Sequence, residues 1–93
     1  MLGIKKISES SIERAVCQYA ISKKTLQYKF VSTSRRSVPD RMFIAQGGRV
    51  GFIEFKAPGK TPTAGQNREI ARLRRQGATV YVIDDVVVFN RIF

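Results

Sequence analysis

The chain has 93 residues, 43% of them hydrophobic and 26% charged, a globular composition with room for one domain spanning residues 1–93. Seventeen Lys and Arg against seven Asp and Glu give a formal charge of +10, with no histidine and one cysteine, Cys17. These counts exclude an internal disulfide, a zinc site and imidazole acid–base chemistry, and they point to a polyanionic partner, nucleic acid ahead of a membrane surface.

No apolar run has the length of a transmembrane helix. The N-terminus also lacks a basic segment followed by an apolar stretch and a cleavage site, so a soluble, cytoplasmic protein is expected. A bound metal would have to be held by oxygen, which suits a hard cation such as Mg²⁺ or Mn²⁺.

In chain order, Ser8 or Ser10 opens a helix in which Ile12, Val16, Tyr19 and Ala20 recur at helical spacing up to Ser22-Lys23-Lys24. Residues 25–31 read as a strand, with Leu26, Tyr28 and Phe30 on one face and Gln27 and Lys29 on a wet face. A polar loop over 32–39 leads through Pro39 into a strand over 40–45. Gly47-Gly48 supplies positive φ for a hairpin to a strand over 50–57. Pro58-Gly59-Lys60-Thr61-Pro62 ends that strand, and a helix follows from Thr63 to about Gln76, closed by Gly77. Residues 78–83 and 86–93 read as two further strands, for an order αβββαββ in an α/β sandwich with a mixed sheet.

The third strand carries the chemistry. Glu54 and Lys56 stand two apart and so share a face, in a run that is otherwise apolar. Charges there must pair with each other, meet water at the strand end, or serve a cation. A turn at 47–48 makes paired positions sum to roughly 95, within a residue or two, which brings Asp40 beside Glu54. Two carboxylates and an amine so placed suggest a metal-dependent nuclease.

Lys29-Phe30-Val31-Ser32, Arg35-Arg36-Ser37-Val38-Pro39-Asp40-Arg41, Gly47-Gly48-Arg49-Val50 and Ile53-Glu54-Phe55-Lys56-Ala57-Pro58-Gly59-Lys60, followed by Gln66, Leu73-Arg74-Arg75-Gln76-Gly77 and Val80-Tyr81-Val82-Ile83-Asp84, resemble the VRR-NUC family, virus-type replication-repair nucleases of the PD-(D/E)XK superfamily. The resemblance is to the stand-alone viral and prophage members. It implies a restriction-endonuclease-like αβββαβ core with the sheet flanked by helices. It implies Asp40 and Glu54 as metal ligands, the carbonyl of Phe55 and the helix-one glutamate Glu13 as further ligands, and Lys56 as the catalytic lysine orienting water and stabilising phosphate charge. Glu9, one turn before Glu13, is the alternative glutamate.

Gln66 matches a catalytic position, although Thr63-x-x-Gln66 is also a capping box, and Glu13 three after Ser10 has the same alternative. The resemblance further implies a Mg²⁺- or Mn²⁺-dependent endodeoxyribonuclease, acting on branched DNA such as a four-way (Holliday) junction as a homodimer in a bacterial host cell. A preference for flaps or nicked DNA stays open. Where the family commonly has glycine before Val-Pro-Asp, this chain has Ser37.

Lys29, Arg35, Arg36, Arg41 and Lys60 cluster around the site in sequence as DNA contacts, with a solvated surface as the alternative, and Arg68, Arg72 and Arg75 form a weaker stripe. The C-terminal apolar run would supply a dimer contact or complete the sheet. The rival class is a non-catalytic basic nucleic-acid-binding protein, against which stand carboxylates that would repel phosphate unless a cation intervened.

Overall fold

Polar side chains set the ends of the first helix, α1 (Glu9–Ser22). Ser8 is its N-cap, accepting from the backbone of Ser11, whose own hydroxyl bonds back to complete a capping box. Its C-terminus is a Schellman turn in which Lys24 takes φ +56° while the amides of Lys24 and Thr25 bond to the carbonyls of Ile21 and Ala20. The computed structural model describes residues 7–92. Beyond α1 they form β1 (Leu26–Lys29), β2 (Arg41–Ile44), β3 (Val50–Phe55), α2 (Ala64–Arg75), β4 (Val80–Ile83) and α3 (Val86–Ile92).

The sheet order is β1-β2-β3-β4, antiparallel except for the parallel pair β3–β4 joined through α2, so the fold is the mixed α/β sheet with flanking helices that was expected. Gly47 (φ +92°) and Gly48 (φ +86°) make the β2–β3 hairpin in backbone conformations that L-residues disfavour. Arg41 faces Ile53 and Phe43 faces Gly51, one residue from the expected register. The next step sets Asp40 beside Glu54, and the Asp40 amide bonds to the Ile53 carbonyl at 3.0 Å.

Alternation along β3 then divides its side chains between two layers. Ile53 and Phe55 join Ile12, Val16, Ala20, Phe43, Ile83 and Phe89 in the buried core beneath α1 and α3. Glu54 and Lys56 project to the opposite face, where α2 packs along β4 with Ile70 and Val80 buried. The second helix matches its sequence signals: Thr63 caps it, and Gly77 (φ +91°) closes a Schellman turn in which the Ala78 amide reaches the Leu73 carbonyl.

Two expectations fail. Residues 86–92 are not a strand but α3, and Phe93 lies outside the described residues. Asp85 starts this helix by accepting from the Val87 amide, and Val86, Phe89 and Ile92 pack against the core at helical spacing. The face of β1 carrying Leu26 and Tyr28 is also not its buried one. These residues are 56% and 52% exposed, because α2 packs along β4 at the opposite edge of the sheet and leaves the β1 end of that face open. Gln27 and Lys29 instead lie on the α1 side, where polar partners meet them.

Candidate active site

Where β2 begins and β3 ends, four chain segments contribute to one polar cluster. The Asp40 carboxylate accepts from the Phe55 amide at 2.8 Å. Glu54 is 1% exposed. Its Oε2 accepts from Gln66 Nε2 at 3.1 Å and lies 3.9 Å from Lys56 Nζ, while its Oε1 is buried with no hydrogen-bond partner among the described residues.

Gln66 resolves the choice between cap and site by doing both. Its Oε1 accepts from the Thr63 amide at 2.9 Å, closing the capping box, which turns Nε2 toward Glu54. The start of α2 is thus tied to the end of β3 through one side chain.

Carboxylate oxygens of Glu9, Asp40 and Glu54 lie within 4.8 Å of one another. Burial, then the nearby Asp40 charge, push the Glu54 carboxyl up from 4.5 to about 7, against the opposing pull of Lys56. Asp40 is raised as well, by burial first, with the Phe55 amide and the amines of Lys29 and Lys56 holding it back. Asp40 and Glu54, close together with Glu54 buried, resist ionising together, and a cation relieves them. The unpartnered Glu54 Oε1 and the all-oxygen donor set fit a hard divalent ion.

Of the two glutamates of α1 singled out from sequence, Glu9 lies in the acidic cluster and Glu13 does not. Glu13 is turned away to Arg41 (Nε to Oε2, 2.6 Å) and Lys29 (3.6 Å), so the earlier glutamate on the same helix face joins the cluster. Arg41 is further engaged by Gln27 at 2.7 Å, and Arg35 by Glu69. Arg36 and Lys60 are exposed, Lys60 in the turn after β3. Glu69 was not singled out from sequence. It is 6% exposed on α2 and holds the 32–36 loop through Arg35.

Ser37 stands at φ +66°, the conformation that favours glycine, which accounts physically for the glycine common at this place in the family it resembles. No helix among the described residues is long and apolar enough to cross a membrane.

No family model matches the chain. A protein named "Putative nuclease p44", from Acyrthosiphon pisum secondary endosymbiont phage 1, is 45% identical over 78 residues, which is 84% of this chain and 84% of that protein. A solved structure titled "VRR_NUC domain" superposes with a TM-score of 0.81 at 25% identity, over 90% of this chain and 91% of that one. The chain belongs to the VRR-NUC nuclease family. In this chain Glu9, Asp40, Glu54, Lys56 and Gln66 come together where β3 ends and α2 begins.

Proposed function

We propose that this VRR-NUC chain is a Mg²⁺- or Mn²⁺-dependent endodeoxyribonuclease that cuts branched DNA as a homodimer. The observation that carries the reading is the clustering of Glu9, Asp40 and Glu54 around an unpartnered buried oxygen, with Lys56 beside them, in a chain of net charge +10. Carboxylates alone would repel a phosphodiester, whereas carboxylates arranged for a cation, within a positive surface, attract one.

Glu9, Asp40 and Glu54 would hold the divalent ion, with the Phe55 carbonyl as a further donor. When bound, such an ion lowers the pKa of water and neutralises charge on phosphate. Gln66 fixes the orientation of Glu54 through the bond to Oε2. The Phe55 amide does the same for Asp40. Lys56, 11% exposed at its side chain, donates to the attacking water or to a phosphate oxygen. It lies 3.9 Å from Glu54 Oε2, in place to serve as a cationic donor. One such site per chain calls for two copies about a two-fold axis if two strands are to be cut as a pair.

The test incubates labelled four-way junction, flap, nicked and linear DNA with the protein in Mg²⁺, in Mn²⁺ and in chelator, alongside Asp40→Ala and Lys56→Ala. Paired incisions in the junction that need the metal and both side chains support the reading. Binding without metal-dependent cutting would leave a non-catalytic DNA-binding protein, and cutting that survives Asp40→Ala would move the site elsewhere.

A further inference from the structure

Beside the acidic cluster, and distinct from it, the 32–37 loop and the outer face of α2 enclose an open cleft of about 570 Å³. Five arginines line it, Arg35 and Arg36 from the loop and Arg68, Arg72 and Arg75 from the helix, against one carboxylate, Glu69. That carboxylate is committed: its Oε1 accepts from both Nε and Nη2 of Arg35, at 3.1 and 3.0 Å. Arg36, Arg68, Arg72 and Arg75 have no carboxylate partner among the described residues.

A structural role does not account for this stripe. The arginine of α2 that serves the fold is Arg74, which donates to the Val80 carbonyl from another side of the helix. Cations in the last turn do complement the helix dipole, but Arg68, the fifth residue of α2, lies outside that turn and gains nothing from it. Arg68, Arg72 and Arg75 are spaced at i, i+4 and i+7, so three like charges stack on one face over about 10 Å. Such repulsion is relieved by an anion, and guanidinium forks match phosphate oxygens in pairs.

Both walls of the cleft run into the acidic cluster. Gly65 at its mouth precedes Gln66, the partner of Glu54, and Ser37 on the other wall leads through Val38 and Pro39 to Asp40. The approach is close there: a Cβ on Gly65 would lie 3.0 Å from Ser37 Oγ. The Arg35–Glu69 bond ties loop to helix further along. The cleft is therefore a braced groove leading away from the cluster.

We propose that this groove is a second phosphate-binding site, which holds the sugar–phosphate backbone of the DNA strand as it leaves the acidic cluster. The assignment rests on the nuclease reading above for the identity of the polymer. Continuity with the cluster favours internal phosphodiesters, while a terminal phosphomonoester shares the same chemistry.

The experiment compares Arg68→Gln/Arg72→Gln in the full chain with a control that removes two charges elsewhere, Lys24→Gln/Arg91→Gln. Binding of a fluorescein-labelled 30-base-pair duplex and a four-way junction is followed by anisotropy in chelator from 50 to 300 mM NaCl, and cleavage of the same DNA is scored separately in Mg²⁺. Each lost phosphate contact lowers the slope of log affinity against log salt by about 0.9, so the groove double is expected to lose close to 2 and the control close to none. Equal changes in both doubles, or an unchanged slope in the groove double, would overturn the proposal. A preference for 5′-phosphorylated over 5′-hydroxyl duplex that vanishes in the groove double would overturn the assignment to internal backbone. Wild-type binding that depends on the groove without any cutting sinks the nuclease reading and leaves the groove standing. Cutting by a groove double with full affinity and slope does the reverse.

Discussion

Replacing Glu54 by glutamine keeps the side chain's shape and its bond from Gln66 while removing a charge that the surroundings resist. The carboxyl is lifted from 4.5 to about 7 by burial and by Asp40, a figure already net of the attraction to Lys56. At about 1.4 kcal/mol for each tenfold, the ionised form is disfavoured in the folded chain by about 3 kcal/mol. The contribution of the protonated form to stability is fully present below about pH 4.5 and is lost as the pH rises through about 7, because the unfolded chain releases this proton earlier.

Metal-free Glu54→Gln should therefore melt above the wild type at pH 8, by roughly 12–24 °C for a chain of this size. At pH 5 the difference should shrink to under about 1 kcal/mol. The same variant should lose cleavage, and Mg²⁺ should raise the melting temperature of the wild type but not of the variant. Thermal melts by circular dichroism in chelator at the two pH values, repeated with Mg²⁺, read all of this. A variant less stable than the wild type at pH 8, or equally shifted at both pH values, would show that Glu54 is comfortable as an anion and would refute the reasoning.

Other substitutions separate roles that are close in sequence. Glu9→Gln is expected to weaken Mn²⁺ affinity with little change in stability, whereas Glu13→Gln should lower stability by about 1–2 kcal/mol by freeing Arg41 and leave Mn²⁺ affinity near normal, as titration calorimetry and denaturant melts will show. Gln66→Ala should lower stability by about 1 kcal/mol through the lost capping box and reduce cleavage through loss of its bond to Glu54. Lys24→Gly should raise stability by about 1 kcal/mol in denaturant melts, since Lys24 holds φ +56° in the Schellman turn after α1.

Much of the site was legible because its parts are local. The Gly47-Gly48 turn sets the hairpin register within a residue, period-two alternation puts Glu54 and Lys56 on one face, and Thr63, Gln66 and Gly77 mark both ends of α2. The choice of Glu13 over Glu9 rests on the family resemblance and not on a local pattern. The two share a helix face one turn apart, and which one reaches the site depends on the axial position of α1 against the sheet, which no local pattern encodes.

The last element was misread because Val86, Val87 and Val88 are β-branched, and strand propensity yields to tertiary context when Phe89 has a core to fill. The signal present was Asp85 as a cap, with Val86, Phe89 and Ile92 at helical spacing. The open face of β1 was hidden for a similar reason: alternation shows that two faces differ, and the placement of α2 on β4 decides which end of one is covered.

A divalent ion held by Glu9, Asp40 and Glu54 is central to the proposed chemistry. Crystals soaked in Mn²⁺ and measured near the manganese absorption edge should give an anomalous peak among those three carboxylates, in bonding contact with the now unpartnered Glu54 Oε1. A peak at other residues, or none in crystals whose Mn²⁺ supports cleavage in solution, would contradict it.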